Sequence, residues 1–211
     1  MVKMAFLCDA ERCIECNACV TACKNEHEVP WGINRRRVVT IQDGQPGERS
    51  ISMACMHCED APCAAVCPVD CFYRTEEGVV LHSKDICIGC GYCFYACPFG
   101  APQFPQATNF GGRGKMDKCT FCAGGPEEDG SEAEFIKYGT NRLAEGKLPL
   151  CAEMCSTRAL MAGELEELGE IYKERVIRRG FGSGAWGWST AYAVEQSDTY
   201  DPYLPIEQRD S

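Results

Sequence analysis

Short apolar runs alternate with polar loops along most of this chain. Four of the runs, residues 4–8, 38–41, 51–54 and 79–82, are rich in apolar and β-branched residues and have the length of β-strands. A longer pattern follows at residues 164–179, where apolar residues recur at helical spacing, with acidic residues leading and basic residues following. The pattern predicts an α+β fold that ends in one amphipathic helix.

The segment beyond residue 179 lacks this periodicity. It contains two of the three tryptophans and the motif DTYDPYLPIEQRDS, which carries two prolines. An aromatic tail of this kind is typical of a docking segment, and we expect it to bind another subunit. The alternative is a tail that folds back over its own module.

Cysteine is the most informative residue type in this chain. It accounts for 18 of the 211 residues, and the hydrophobic fraction of 45% includes these cysteines. The true apolar core is therefore thin, and bound metal is expected to contribute to folding. A disulfide framework is disfavoured, since cysteines two or three residues apart are poor disulfide partners. Cysteines at this spacing can instead bind one metal centre together.

The net charge of −10 argues against nucleic-acid binding. No apolar run has the length needed to cross a bilayer, so we expect neither a membrane span nor self-export. The basic runs at residues 35–37 and 178–179 are interpreted as solvated faces.

Sixteen cysteines fall into four motifs. CIECNACVTAC and CIGCGYCFYACP have the C-x2-C-x2-C-x3-C spacing of bacterial ferredoxins with two [4Fe–4S] clusters, and CMHCEDAPCAAVCP is a variant with a longer middle spacing. The fourth motif begins as CTFC, is interrupted by a polar insertion at residues 124–150, and resumes as CAEMC. Helical segments are expected after the third cysteine of each motif.

In such motifs the fourth cysteine ligates the neighbouring cluster, so motifs come in pairs. Motifs two and three are close in sequence and form an inner pair, and motifs one and four form an outer pair. The predicted ligand sets are: first set, Cys13, Cys16, Cys19 and Cys155; second set, Cys23, Cys119, Cys122 and Cys151; third set, Cys67, Cys87, Cys90 and Cys93; fourth set, Cys55, Cys58, Cys63 and Cys97.

The competing metal is zinc, which CxxC pairs also bind, but zinc sites rarely use four cysteines within eleven residues. Cys8 and Cys71 lie outside the motifs and are interpreted as small buried hydrophobes. His57 lies between two predicted ligands and is interpreted as structural, with donation to a cluster sulfur as the alternative.

With these motifs the chain resembles the four-cluster ferredoxin-like beta subunits of molybdopterin oxidoreductases, over residues 4–165. The stretches CDAERCIECNACVTACKNEHEVPWGINRRRV and GVVLHSKDICIGCGYCFYACPFGAPQFP are most similar to formate dehydrogenase beta subunits. The resemblance implies two ferredoxin-like modules in tandem: an outer one at 1–50 and 100–163, and an inner one at 51–99. A C-terminal helix and docking tail at 164–211 complete the chain.

The resemblance also implies a non-catalytic electron relay through four [4Fe–4S] clusters. Electrons from a molybdenum or tungsten pterin subunit would enter at the first set, cross the second and third, and leave from the fourth. The acceptor would be a membrane cytochrome b, another acceptor subunit or a soluble carrier. The implied location is periplasmic, on the membrane through partners and exported folded with the large subunit; the alternative is cytoplasmic.

Two other functions stay open. One is the same relay in a polysulfide, sulfoxide or nitrate reductase. The other is a free-standing polyferredoxin carrier, for which the insertion and the tail are longer than needed.

Overall fold

The computed structural model describes residues 3–105, 114–126 and 131–178. The predicted docking tail lies outside this range. Within it the chain is a mixture of short helices and small sheets, as the sequence predicts. The strands are β1 Met4–Cys8, β2 Arg37–Ile41, β3 Arg49–Met53, β4 Phe72–Arg74, β5 Val80–His82 and β6 Leu160–Glu164. The helices are α1 Ala18–Glu26, α2 Pro62–Ala65, α3 Tyr92–Ala96, α4 Glu132–Tyr138, α5 Leu150–Glu153 and α6 Leu165–Arg178.

The described strands form three antiparallel pairs. β1 pairs with β6 from Met4 opposite Glu164 to Cys8 opposite Leu160, while β2 pairs with β3 and β4 with β5. Helix α1 packs on α5, and α2 packs on α3. The first and last parts of the chain therefore come together around α1 and α5, and the middle of the chain packs on itself around α2 and α3.

All four strands that the sequence predicts are present; the bounds of β1 are as predicted, and those of the other three differ by one or two residues. Two further strands, β4 and β6, were missed. β4 is only three residues long, too short for a pattern to show. β6 has the sequence LMAGE, whose glycine and central alanine have low β-propensity; pairing with β1 makes it a strand.

The helices begin earlier than the sequence predicts. α1, α2, α3 and α5 each start one residue before the third cysteine of their motif, so that Cys19, Cys63, Cys93 and Cys151 are each the second helical residue. The backbone N–H groups in a first helical turn have no partner inside the helix. These cysteines thus lie where free N–H donors are available to sulfur.

The predicted C-terminal helix is confirmed as α6. Its Leu168 and Ile171 pack with Met161 of β6 in one apolar cluster. Arg175 is buried, lies 3.8 Å from the carboxylate of Asp9, and donates to the carbonyl of Arg158 at 2.9 Å. α6 is thereby fixed to the loop that precedes the first cysteine motif.

The insertion is more than a polar surface excursion. Its described part contains α4, which begins after the Ser131 cap, where the side chain accepts from the N–H of Glu134. At the end of α4, Tyr138 is only 1% exposed, and its hydroxyl accepts from the N–H of Lys84 at 2.5 Å. One buried aromatic ring therefore anchors the insertion to the interior.

Candidate metal centres

The four motifs share one unusual backbone feature. The residue before the second cysteine has a positive φ in each of them: Glu15 (58°), His57 (45°), Gly89 (70°) and Phe121 (59°). Non-glycine residues rarely adopt this left-handed conformation. Three of the four motifs nevertheless have a non-glycine residue there, at a cost in conformational energy. The same backbone turn therefore recurs at the same position in all four cysteine loops.

The first predicted set lines one cavity. Cys13, Cys16, Cys19 and Cys155 form part of its wall, together with apolar residues from three strands and the side chain of Ser52. Backbone donors reach the sulfurs, since the N–H of Leu160 lies 3.3 Å from Cys155 Sγ. The hydroxyl of Ser52 is 3.2 Å from Cys19 Sγ.

Cys8 also lies in this wall, which the sequence did not indicate. Its sulfur accepts from the N–H of Ser52 at 3.2 Å, and the side chain is half-buried rather than buried. Burial raises the pKa of Cys8 to about 11, which keeps it a thiol at neutral pH. The strand β1 places it there, directly before the turn that carries Cys13.

The second predicted set is the most enclosed. All four of its members, Cys23, Cys119, Cys122 and Cys151, are buried. Burial raises the pKa of Cys119 to about 11 and that of Cys122 to about 12. The charge of Cys151 also raises both pKa values, which shows that these sulfurs also interact electrostatically.

His27 borders the second set. Its Nδ1 donates to the carbonyl of Tyr138 at 3.1 Å, and its Nε2 lies 3.3 Å from Cys122 Sγ. Burial lowers the pKa of His27 to about 4, so the ring is neutral at physiological pH. Nothing in the sequence pattern signals this contact, because His27 lies far from Cys122 in the chain.

The fourth predicted set lines a second cavity, whose wall contains Cys55, Cys58, Cys63, Cys97 and the side chain of Lys118. The N–H of Ala101 lies 3.5 Å from Cys97 Sγ. His57, which lies between Cys55 and Cys58 in the sequence, is only 1% exposed. Its Nδ1 lies 3.1 Å from the N–H of Val80 and 3.2 Å from the Val80 carbonyl, so the backbone of one residue fixes the ring.

Three of the four members of the third predicted set pack around Met116, and the fourth, Cys90, is half-buried. Cys67, Cys87 and Cys93 belong to one buried cluster with this residue, whose N–H lies 3.5 Å from Cys87 Sγ. Burial, followed by the charges of Cys87, Cys63 and Cys90, raises the pKa of Cys93 to about 12. Cys71 is buried as the sequence predicts, and its sulfur is 3.5 Å from that of Cys67.

Contacts between the sets give their spatial order. Cys19 of the first set and Cys151 of the second lie in one apolar cluster. Cys119 of the second set lies in a cluster with Cys55 and Cys97 of the fourth. Cys63 of the fourth set lies with Cys87 and Cys93 of the third. The fourth set is therefore between the second and the third.

All 18 cysteines fall within the described residues, and none of them forms a disulfide. In the same part of the chain, no three His, Cys, Asp or Glu side chains converge closely enough to hold one metal ion. The first and fourth sets each line a cavity wall as a group of four, an arrangement that suits a group larger than an ion. Because burial raises several thiol pKa values, metal binding must displace protons from these sulfurs.

Buried cations support an anionic group in these cavities. Arg35 and Arg36 are 3% and 1% exposed, so the expectation of a solvated face at residues 35–37 is wrong for both. Arg35 pairs with Asp117, but among the described residues neither Arg36 nor Lys118 has a carboxylate partner. Within the described residues, Lys118 Nζ donates to the carbonyls of Val80 and Cys119. An iron–sulfur cluster with four thiolates is negatively charged and fits beside both.

The short sheets, the repeated cysteine loops and the cavities define a ferredoxin-like iron–sulfur protein. In agreement, residues 49–135 match the family described as 4Fe-4S dicluster domain. The chain is 61% identical to the formate dehydrogenase iron-sulfur subunit of Wolinella succinogenes, covering 90% of this chain and 96% of that protein.

Two more distant relatives belong to reductases. The thiosulfate reductase electron transfer subunit of Salmonella typhi is 37% identical over 84% of this chain and 88% of its own length. A subunit of the anaerobic dimethyl sulfoxide reductase of Escherichia coli is 34% identical over 79% of this chain and 76% of its own length. The chain therefore belongs to the family of [4Fe–4S] electron-transfer subunits that includes the formate dehydrogenase iron-sulfur subunit. No helix in the described part of the chain is long and apolar enough to cross a membrane.

Proposed function

We propose that this chain is the electron-transfer subunit of a formate dehydrogenase complex. The observation that carries the proposal is the 61% identity to a formate dehydrogenase iron-sulfur subunit along almost the whole of both chains. Electrons from formate oxidation on a molybdenum or tungsten pterin subunit pass through this chain to an acceptor, such as a membrane cytochrome b or a soluble carrier. The chain itself performs no chemistry on formate.

The sixteen motif cysteines hold four [4Fe–4S] clusters in the four predicted sets. Two observations support this assignment: the first and fourth sets each line their own cavity, and the second set is buried as a group. The packing of α1 on α5 and of α2 on α3 supports an outer and an inner module. The predicted boundary after residue 50 falls within β3, which pairs with β2. Each cluster supplies one-electron redox chemistry, and the cavity walls exclude water and donate N–H groups to sulfur.

The spatial order of the sets supports a revised electron path. Electrons enter at the first set, cross the second and then the fourth, and leave from the third. This path exchanges the last two sites of the order expected from the sequence. Exposed apolar side chains occur at both ends: Ile14 at the first set, and Ile88, Tyr92 and Tyr95 at the third. Both surfaces suit docking of a partner subunit.

The second candidate is the same relay in a thiosulfate or dimethyl sulfoxide reductase. It is favoured by the relatives at 37% and 34% identity, which share most of the length of this chain. The higher identity to the formate dehydrogenase subunit favours the first candidate over this one.

The test is native purification of the chain with its partners. We expect a large pterin-containing subunit to co-purify, about sixteen iron and sixteen sulfide per chain, and bleaching of the visible absorbance when formate is added anaerobically. Reoxidation by thiosulfate or dimethyl sulfoxide, with no response to formate, would establish the second candidate. Elution of the chain alone would favour a free-standing carrier, and a colourless chain containing zinc would end both proposals.

We also propose a periplasmic location, reached by export of the folded chain with its large subunit. The resemblance to exported complexes supports it. Fractionation of cells tests it, since recovery of the complex with cytoplasmic markers would show the alternative location.

A further inference from the structure

Arg36 is completely enclosed, at 1% exposure, and only part of its guanidinium is engaged. Nη1 donates to the hydroxyl of Ser52 at 3.1 Å and lies 3.5 Å from the Ser52 carbonyl. The guanidinium carbon lies 4.2 Å from the centre of the Phe6 ring. Nε and Nη2 are buried with no hydrogen-bond partner among the described residues. Such donors are costly unless a negative charge lies close to them.

Arg35, the neighbour of Arg36 in the sequence, shows the kind of partner that Arg36 lacks among the described residues. Arg35 is equally buried, yet its guanidinium forms a two-point pair with Asp117, with Nη2 2.9 Å from Oδ2. No described carboxylate lies within pairing distance of Arg36. Since removing one member of a buried ion pair is strongly destabilising, a buried arginine needs another source of negative charge.

The cysteines are that source. Burial lowers the pKa of Arg36, but the charges of Cys151, Cys119, Cys19 and Cys23 outweigh burial and raise it overall. Three of these four belong to the second set and one to the first. Ser52 links Arg36 to the first set directly, because its hydroxyl also lies 3.2 Å from Cys19 Sγ. Phe6, whose ring the guanidinium covers, packs against the apolar cluster that contains Cys19 of the first set and Cys151 of the second. Arg36 thus lies between these two neighbouring sites.

We propose that Arg36 sets the reduction potentials of the first two clusters and raises both. The inference rests on the proposed function, since it requires clusters at both sites. When a cluster accepts one electron its net negative charge increases by one, and a fixed positive charge at short range stabilises the reduced form. No bond forms or breaks and no proton moves. Low local dielectric makes this interaction stronger than a surface charge could provide.

The test is a redox titration of the purified complex with dithionite, followed by electron paramagnetic resonance. Single-cysteine variants assign the four signals. In Arg36→Met we expect the equilibrium constants for one-electron reduction of the first and second clusters to fall at least about tenfold, which corresponds to about 59 mV. No change is expected at the third and fourth sets.

Three variants serve as controls. Arg36→Lys keeps the charge and should keep both potentials near those of the wild type. Arg36→Gln removes the charge but keeps a donor toward Ser52, and it provides the same measurement if Arg36→Met fails to assemble. Arg49→Met removes an equal charge from an exposed position beside Glu11 and should shift no potential appreciably.

Iron content separates the two levels of the proposal. A wild-type chain without about sixteen iron would overturn the proposed function. Iron-replete Arg36→Met or Arg36→Gln complexes with unchanged potentials would overturn only the role of Arg36. Equal shifts at all four clusters, or the same shifts in Arg49→Met, would also contradict it.

Discussion

The first and second cysteine sets are neighbours, yet they differ in how the protein encloses them. Every cysteine of the second set is buried, and buried polar residues, Arg35, Arg36 and His27, lie nearby. In the first set Cys16 is exposed and Cys13 and Cys155 are half-buried. Ile14, in the same loop, is 65% exposed. The comparison separates two tasks of an electron relay: accessibility to a partner at an end, and insulation with fixed charge inside.

The largest difference is expected when one ligand is removed from each set. Cys151→Ala leaves a buried site incomplete. Because the outer module assembles around α5, this variant should contain much less iron than three clusters would hold and should give a lower yield of folded protein. Cys16→Ala should cost one cluster at most and leave about twelve iron per chain. Iron analysis and anaerobic thermal unfolding measure both effects. Equal losses from the two variants would contradict the comparison.

Loss of a single cluster is expected from Cys97→Ser, a change in the inner module. Ligand exchange assigns Cys97 to the set of Cys55, Cys58 and Cys63, so the signal of that cluster should disappear. The cluster of Cys87, Cys90 and Cys93, which adjoins Cys97 in sequence, should persist. Paramagnetic resonance of the reduced protein distinguishes the two, and loss of the adjoining cluster alone would show that ligands are not exchanged here.

Ion pairs provide a smaller contrast. Asp117 is buried against Arg35 and Lys84; burial raises its pKa, but the two cations outweigh burial and hold the pKa at about 2. Asp117→Asn leaves two cations beside one neutral group and should cost about 3–5 kcal/mol of unfolding free energy. Glu11→Gln breaks the exposed pair with Arg49 near the first set and should cost about 0–1 kcal/mol. Anaerobic denaturant titrations compare them, and similar costs would argue against an insulated interior.

The smallest effect concerns pH. Burial lowers the pKa of His82 from about 6.5 to about 3, so the unfolded chain binds more protons than the folded one between these values. Stability from this group is complete above pH 6.5 and falls as pH decreases toward 3. His82→Gln keeps a donor for the Met116 carbonyl, which lies 3.1 Å from Nε2, and should lose less stability between about pH 8 and about pH 5.5.

Thermal midpoints of the wild type and His82→Gln across that range measure the difference. The slope should decrease without vanishing, because His27 and His57 are buried as well. Similar midpoints at the alkaline end of the range serve as the control. Identical slopes would mean that His82 does not contribute to the acid sensitivity of the interior.

Much of the fold could be predicted because the cysteine spacing repeats. The strands before the loops, the helix at Leu165–Arg178 and the [4Fe–4S] chemistry follow from local pattern. The burial of Arg35, Arg36 and Lys118 could not, because charged residues are ordinarily solvated and their negative partners come from distant parts of the chain. The contact of His27 with Cys122, the position of Cys8 in a cavity wall and the anchoring of the insertion by Tyr138 depend on the same long-range packing.

The pairing of β1 with β6 has a consequence for synthesis. Cys151 and Cys155, and the strand that brings them back to Met4–Cys8, are among the last described parts of the chain to leave the ribosome. The cysteines between residues 55 and 97 are complete much earlier. Closing contacts over such a sequence separation is slow. A nascent chain therefore completes its inner sites first, and its first and second sites can be filled only after Cys151 and Cys155 have been synthesised.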